Sequence, residues 1–475
     1  MGASRHPQHS APVLISSGGR SAHGQPSTTT FRPRTRGAFL LELWRPRPPC
    51  GILRAISLAV AGMLFPSVSF VFFFAIVLLL WWGPWRWTPL SRTTLLAVAN
   101  TVFYACAGLR GLPVLLGVVL VTWLSGHALA RSTSPLTRRC SLTLALCLLI
   151  GHLLVWKDAG WAAFGWNDWA TQWGWPEVPF PDWAYPAGIS FFTFHAVAHL
   201  LRQPPGPPAR LFTVWAKVGF FPTLIAGPVL YNRTWDARWL RAWRFREVAW
   251  GEAVSRFMLG MTFKWVLASW AQSQADPLFE GARAGGLYTV WAVHAYALQI
   301  FFDFAGYSHL ALGVALLLGW RLPENFTQPY LATSLTDFWR RWHRSLSFFF
   351  RDFVYIGTFG GRRARGGATV ALLGTMLLSG LWHGASVTFV VWGLWHGIGV
   401  VVHKAAERSW RFSPAVSRFI TLEAVVWGWV WFRAPDMPTA KLVFSSLLQP
   451  SPPGVAPAAS AWAFMAISVL FIVAE

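Results

Sequence analysis

Charge is scarce in this chain. Only 12% of its 475 residues are Asp, Glu, Lys or Arg, against about 25% in an ordinary soluble domain. A water-facing surface for a chain of this length needs more, which argues against a soluble enzyme. Acid is scarcer than base, with 18 acidic residues against 40 basic ones. Cysteine is nearly absent. Cys50, Cys106, Cys140 and Cys147 form no CxxC or ligand-spaced set, so they offer neither a disulfide framework nor a zinc site and read as buried small hydrophobes. The sequence also lacks a glycine loop for phosphate, a GxSxG elbow, and a carboxylate pair in its apolar core. ATP coupling, serine-triad hydrolysis and glycosidase chemistry therefore have no support. No internal repeat is visible, which weighs against transporters built from inverted repeats.

What is abundant is apolar and aromatic. Hydrophobic residues make up 54% of the chain, with 32 Trp and 37 Phe. A disordered chain cannot have this composition; a polytopic helical membrane protein can. The net charge of +22 falls in short loops between apolar runs, where basic residues meet anionic headgroups. Membrane lipid, and not nucleic acid, is the expected contact.

Residues 1–50 are rich in Ser, Pro, Gly and Arg and make a poor signal peptide. Met63 opens an apolar run, so residues 1–62 read as a disordered basic tail or a mis-called start, and 63–475 as the membrane domain. The chain stops at Glu475 inside another apolar run, which suggests a C-terminally incomplete sequence. Runs at 64–82, 93–109, 112–130 and 140–156 are each about long enough to cross ~30 Å of hydrocarbon at ~1.5 Å per residue. Residues 157–186 carry Lys157, Asp158, Asp168, Glu177 and Asp182 among many Trp and Pro and read as an outer loop. Counting back by alternation puts Arg131, Arg138 and Arg139 inside, as the positive-inside rule expects. It also puts the N-terminus outside, the wrong side for a tail with eight Arg; a start at Met63 removes that conflict. Further runs lie at 187–201, 212–231, 248–270, 287–319, 368–383, 386–403, 415–432 and 460–475. Several are too short or too polar to cross simply, so re-entrant or half-length helices around a central chamber are expected. The fold class is all-α, a ring of about ten to twelve membrane helices.

Two stretches carry chemistry. In 336–343, Thr-Asp-Phe-Trp-Arg-Arg-Trp-His, Thr336 or Asp337 can cap a helix, and Asp337 can pair with Arg340 and Arg341 at i+3 and i+4. On one continuous helix Trp339, His343 and Phe350 share a face. The same spacing fits an interfacial helix whose Arg side chains bind headgroups. Forty residues on, His383 ends an apolar run and is flanked by Ser379, Gly380, Gly384 and Ala385. Small residues let a backbone or a substrate approach closely. Burial there favours the neutral imidazole that a general base requires; a histidine bonded to a neighbouring helix fits the same pattern. His396 repeats the Leu-Trp-His-Gly tetrapeptide and reads as a packing device. His195 and His199 have the spacing of a zinc pair but no evident third ligand, and no metal is expected. The Gly-Pro step at 227–228 breaks the run 212–231.

The stretches FFDFAGYSHLALGVALLLGWRLPENFTQPYLATSLTDFWRRWHRSLSFFFRDFVYI and TMLLSGLWHGASVTFVVWGLWHG, with PAGISFFTFHAVAHLL, FFPTLIAGPVL and WVWFRAP, resemble the membrane-bound O-acyltransferase family in its bacterial branch of alginate O-acetylation and D-alanyl transfer. The resemblance covers roughly residues 63–445. It implies a helical ring around a catalytic chamber in the bacterial inner membrane, with His383 as the catalytic histidine and His343 as the second catalytic position. It further implies substrate contacts from Asp303, Asp337, Trp339, Arg340, Arg341 and Trp382. The activity implied is transfer of an acyl group, acetyl from acetyl-CoA, to a hydroxyl of an exported polysaccharide or of a periplasmic hydrolase-like partner, with no bound cofactor. D-alanyl transfer to teichoic acid, or transport without acyl chemistry, are the alternatives. The chain departs from the family pattern at His309, where an acidic residue is usual, and at Gly357–Gly361, where the usual sequence is Pro-Leu-Gly-Gly.

Overall fold

The computed structural model describes residues 65, 67–83, 88–179, 185–203, 207–230, 244–281, 285–363, 367–409, 412–450, 457 and 459–474. The expected tail 1–62, the start at Met63 and Cys50 lie outside the described residues. Every regular element among those described is helical, as the apolar runs require when each backbone amide must be satisfied without water.

The N-terminal elements are α1 (Val68–Trp82), α2 (Pro89–Gly108), α3 (Leu112–Arg131), α4 (Pro135–Trp173), α5 (Ile189–Leu201) and α6 (Leu211–Val218). After them come α7 (Trp250–Met261), α8 (Ser269–Phe279) and α9 (Gly286–Leu317). Seven residues of π-helix, Thr262–Ala268, connect α7 to α8. The C-terminal elements are α10 (Leu335–Arg341), α11 (Arg344–Phe349), α12 (Gly367–His383), α13 (Val387–Ser409), α14 (Pro414–Arg433), α15 (Met437–Ser446) and α16 (Ala459–Ala474). Among the described residues, five helical stretches are long and apolar enough to cross a membrane: Leu90–Arg131, α4, α9, Val387–Glu407 and α14. Four shorter apolar helices join them. Apolar side chains such as Val68, Phe72 and Leu79 on α1 and Leu144, Leu148 and Leu154 on α4 are exposed. On a membrane protein such faces meet lipid.

Three expectations are corrected. Residues 157–173 are not loop: α4 continues through them and ends only at Gly174, in the left-handed conformation with φ 65°. The run holds no proline after Pro135 until Pro176, so nothing breaks the ladder earlier. The run 212–231 is helical only to Val218; residues 221–227 form turns. Cys106, Cys140 and Cys147 are exposed free thiols, not buried. They stand on outward faces of membrane helices, where a small apolar group costs little.

The core forms two aromatic clusters. The first is built by α1–α6 around Phe70, Phe103 and Phe221, and takes in Leu346 and Phe349 of α11. The second is built by α7–α9, α13 and α14 around Phe301, Trp392 and Trp429, and takes in Trp342. Glycine permits the closest crossings. A Cβ on Gly260 would sit 2.7 Å from the carbonyl oxygen of Gly306, joining α7 to α9. A Cβ on Gly380 would sit 2.2 Å from the carbonyl oxygen of Phe389, pinning α12 to α13 just before His383.

Candidate active site

The segment 334–349 is not one helix. Ser334, and not Thr336 or Asp337, caps α10, accepting from the Asp337 amide at 3.0 Å. The helix stops at Arg341, and His343 takes the left-handed conformation with φ 40°. That conformation is uncommon outside Gly, though Asn, Asp and His adopt it more readily than other residues; it costs about 1–3 kcal/mol and persists only where its surroundings enforce it. Here they do. The Thr327 amide donates to the Arg341 carbonyl at 3.1 Å and the Arg344 amide to the Asn325 carbonyl at 2.9 Å, so the loop 325–327 holds both sides of the break.

Asn325 is the hub of the polar contacts around this break. Its Oδ1 accepts from the Ser345 hydroxyl at 2.9 Å and from His343 Nδ1 at 3.0 Å. Its Nδ2 donates to the Ser308 hydroxyl of α9 at 3.3 Å. Ser345 Oγ in turn accepts from the Val229 amide at 2.9 Å, which ties the 221–230 turns to the same centre. An amide oxygen only accepts, so His343 carries its proton on Nδ1, and the neutral ring presents a lone pair at Nε2. That atom is buried with no partner among the described residues. Phe304 meets the ring edge-on at 4.5 Å.

His383 is the last residue of α12. Its ring is enclosed by Trp382 at 4.5 Å, Phe432 at 4.7 Å, Trp392 at 5.2 Å and Phe389 at 5.8 Å between centroids, yet it keeps part of its surface accessible. Trp382 packs against the first cluster, and Trp392 and Phe432 belong to the second. His343 follows Trp342 of the second cluster and precedes Leu346 of the first. Both histidines therefore occupy the seam between the two clusters. The Lys157 ammonium lies 5.2 Å from the centroid of Trp382, the ring that touches His383.

The other expected residues scatter. Trp382 lies at the seam, stacked on Phe194 at 5.4 Å. Trp339 turns towards Trp392 and His396 at 5.7 and 5.1 Å. It does not share a helical face with His343, because the helix ends between them. Asp337 pairs with Arg341 at 2.9 Å, while Arg340 is exposed. Asp303 pairs with Lys264 and lines, with Gln272 and Gln299, a cavity of about 200 Å³ that neither histidine borders. His396 is fully buried between Phe338, Trp339, Trp392 and Trp429, the packing role its repeat suggested. His195 Nδ1 bonds the Val218 carbonyl at 3.3 Å. His309, the departure from the family pattern, is bonded to Arg256, which also pairs with Glu324.

Sequence reasoning does not single out Asn325, Ser345 or Lys157 as site residues. Asn325 stands in a short polar loop with no periodicity to mark it. Lys157 follows directly on the apolar run 140–156, where the onset of charge reads as the start of a loop.

The sequence description of the membrane-bound O-acyltransferase family matches residues 211–434, a span that contains both histidines. The chain is 34% identical over 379 residues to a probable alginate O-acetylase of Pseudomonas syringae, covering 75% of this chain and 70% of that protein. It is 29% identical over 398 residues to a peptidoglycan O-acetyltransferase of Helicobacter pylori, covering 76% and 74%. It is 33% identical over 239 residues to a teichoic acid D-alanyltransferase of Streptococcus thermophilus, covering 46% and 56%. Fold and relatives agree: this chain belongs to the membrane-bound O-acyltransferase family and is an O-acyltransferase embedded in a membrane.

Proposed function

We propose that the chain moves an acetyl group from a cytoplasmic thioester, acetyl-CoA, to a hydroxyl of an exported polysaccharide of the alginate type, in the bacterial inner membrane. The observation that supports this reading is that His343 and His383, from different elements, both stand between the two aromatic clusters and that one of them keeps accessible surface. Acetyl is favoured over D-alanyl because the relatives named for acetyl transfer match three-quarters of this chain, against under half for the D-alanyl one.

In this mechanism the acceptor hydroxyl oxygen attacks the thioester carbonyl carbon, and His383 takes the hydroxyl proton. The tetrahedral intermediate collapses with cleavage of the C–S bond, and the imidazolium returns the proton to the leaving thiolate. The thioester supplies the driving force. His343, with its proton fixed on Nδ1 by Asn325, offers Nε2 as an acceptor for a second hydroxyl of the acceptor sugar, which orients the attacking one.

The test is His383→Ala in the natural host, with the acetyl content of the exported polymer measured alongside the amount of chain in the membrane. Loss of acetyl groups with normal export and normal protein level supports the reading. Normal acetylation overturns the role of His383. Loss of export itself turns the reading towards transport.

A further inference from the structure

Two residues stand one position away from the groups that orient His343. Asn325 and Ser308 bond each other, and their neighbours in sequence are Glu324 and His309. Arg256 of α7 joins those neighbours. Its Nη1 donates to Glu324 Oε2 at 3.1 Å and to His309 Nδ1 at 3.1 Å, and its Nη2 donates to the other Glu324 oxygen. A guanidinium only donates, so His309 accepts with a lone pair on Nδ1. The planar fork meets both carboxylate oxygens and the imidazole at once, which fixes direction as well as distance. A second fork lies four residues earlier on α7, where Glu252 accepts from Arg321 at 2.9 Å. The stretch between α9 and Asn325 is thus tied to α7 at two points.

Two rungs therefore run side by side from α9 to this stretch. Ser308 meets Asn325 directly, and His309 meets Glu324 through Arg256. Consecutive Cα atoms are ~3.8 Å apart, so a shift of one rung moves the other. The direct rung has little to spare: Asn325 Nδ2 lies 3.3 Å from the Ser308 hydroxyl, just past the usual limit of about 3.2 Å for a bond from nitrogen. A stretch that drifted from α9 would lose that bond first, and the Asn325 amide would be free to turn over. An overturned amide presents Nδ2, a donor, to His343. The ring would answer with a lone pair on Nδ1 and carry its proton on Nε2. His343 would then donate at the atom where the mechanism above needs it to accept.

We propose that Arg256 is a positioning residue for acyl transfer. It staples Glu324 to His309, keeps Asn325 against Ser308, and thereby holds the His343 proton on Nδ1. The inference rests on the acyl-transfer reading above and adds to it how the fixed acceptor is kept in one tautomer.

The experiment has two readouts. Membrane vesicles of the natural host carry the wild type, Arg256→Met, Arg256→Lys, Asn325→Ala, or Arg256→Met together with Asn325→Ala. Transfer from radiolabelled acetyl-CoA to an oligouronate is measured per amount of chain on an immunoblot. The same chains, purified with isotope-labelled histidine and reconstituted in lipid, report the tautomer of each ring by nitrogen NMR. The His343 signals are those that His343→Asn removes. The wild type should show His343 protonated on Nδ1. Arg256→Met should lower kcat about tenfold or more with little change in KM for the acceptor, and should move the His343 proton towards Nε2. Arg256→Lys keeps the charge and should keep most of the activity and the native tautomer. The double variant should lose no more than Asn325→Ala alone, because both changes act on one contact. Losses that multiply in the double variant, or an unchanged His343 signal in Arg256→Met, overturn the proposal. A pair that served only to hold α7 in place would lower the amount of chain and leave the ring of the remainder as in the wild type. Should Arg256→Met be absent from the membrane, Glu324→Gln, which keeps the volume and breaks one arm of the fork, takes its place in both comparisons. If the wild type transfers no acetyl group, the acyl-transfer reading falls, while the nitrogen signals still decide whether Arg256 sets the tautomer.

Discussion

The two histidines at the seam are held in opposite ways. His343 is fixed by its backbone, by the Asn325 amide and by burial, and its Nδ1 is committed to a hydrogen bond. His383 is fixed by ring contacts alone; its imidazole makes no hydrogen bond among the described residues and keeps accessible surface. A group that takes a proton and gives it back needs a lone pair turned to the substrate, and accessible surface lets a substrate approach it. A group that orients needs one tautomer and one direction. The contrast fits a division of labour between a base and a fixed acceptor.

The sharpest way to break this comparison is to remove each ring in turn. His383→Ala should lower acyl transfer about a thousandfold, read as acetyl released from the polymer by mild base, with the chain still present in the membrane. Comparable activity in that variant would dissolve the distinction. Asn325→Ala leaves both histidines in place but unties His343 and Ser345; it should cost about a hundredfold through lost orientation, seen in kcat more than in KM. A third comparison isolates the backbone. His343→Asn and His343→Val both lose the imidazole, but only Asn tolerates φ 40°. The Val chain should be less stable than the Asn chain by about 1–3 kcal/mol, visible as an earlier thermal transition of the purified chain in detergent. Equal transitions would mean that the left-handed turn is not enforced. The smallest effect is expected for Arg340→Ala, whose side chain is exposed. Its stability should stay within about 0.5 kcal/mol of the parent and its acyl transfer should be unchanged.

Hydrophobic periodicity locates most of the helices. The runs 287–319, 386–403 and 415–432 correspond to Gly286–Leu317, Val387–Ser409 and Pro414–Arg433, because a long apolar stretch in a membrane has no alternative to a helix. The same logic fails where polar residues continue a helix already begun. Residues 157–173 are charged and Trp-rich, yet the ladder propagates through them, since adding a residue to a formed helix costs far less than starting one. At 342–343 the failure is the reverse. Local spacing supports a continuous helix, but the break is imposed by Asn325 and Thr327, some 15 residues upstream, through contacts that no local pattern records. His383 is legible because its small neighbours and apolar run are contiguous in sequence. Its aromatic enclosure is not, since Phe432 arrives from a helix 49 residues on.

The interruption between α10 and α11 has a further consequence. A chain in which that stretch wound as one unbroken helix would swing α11 aside and pull Leu346 and Phe349 out of the first cluster. The direction of the imidazole at 343 and the packing of the core are therefore set together, by one interruption.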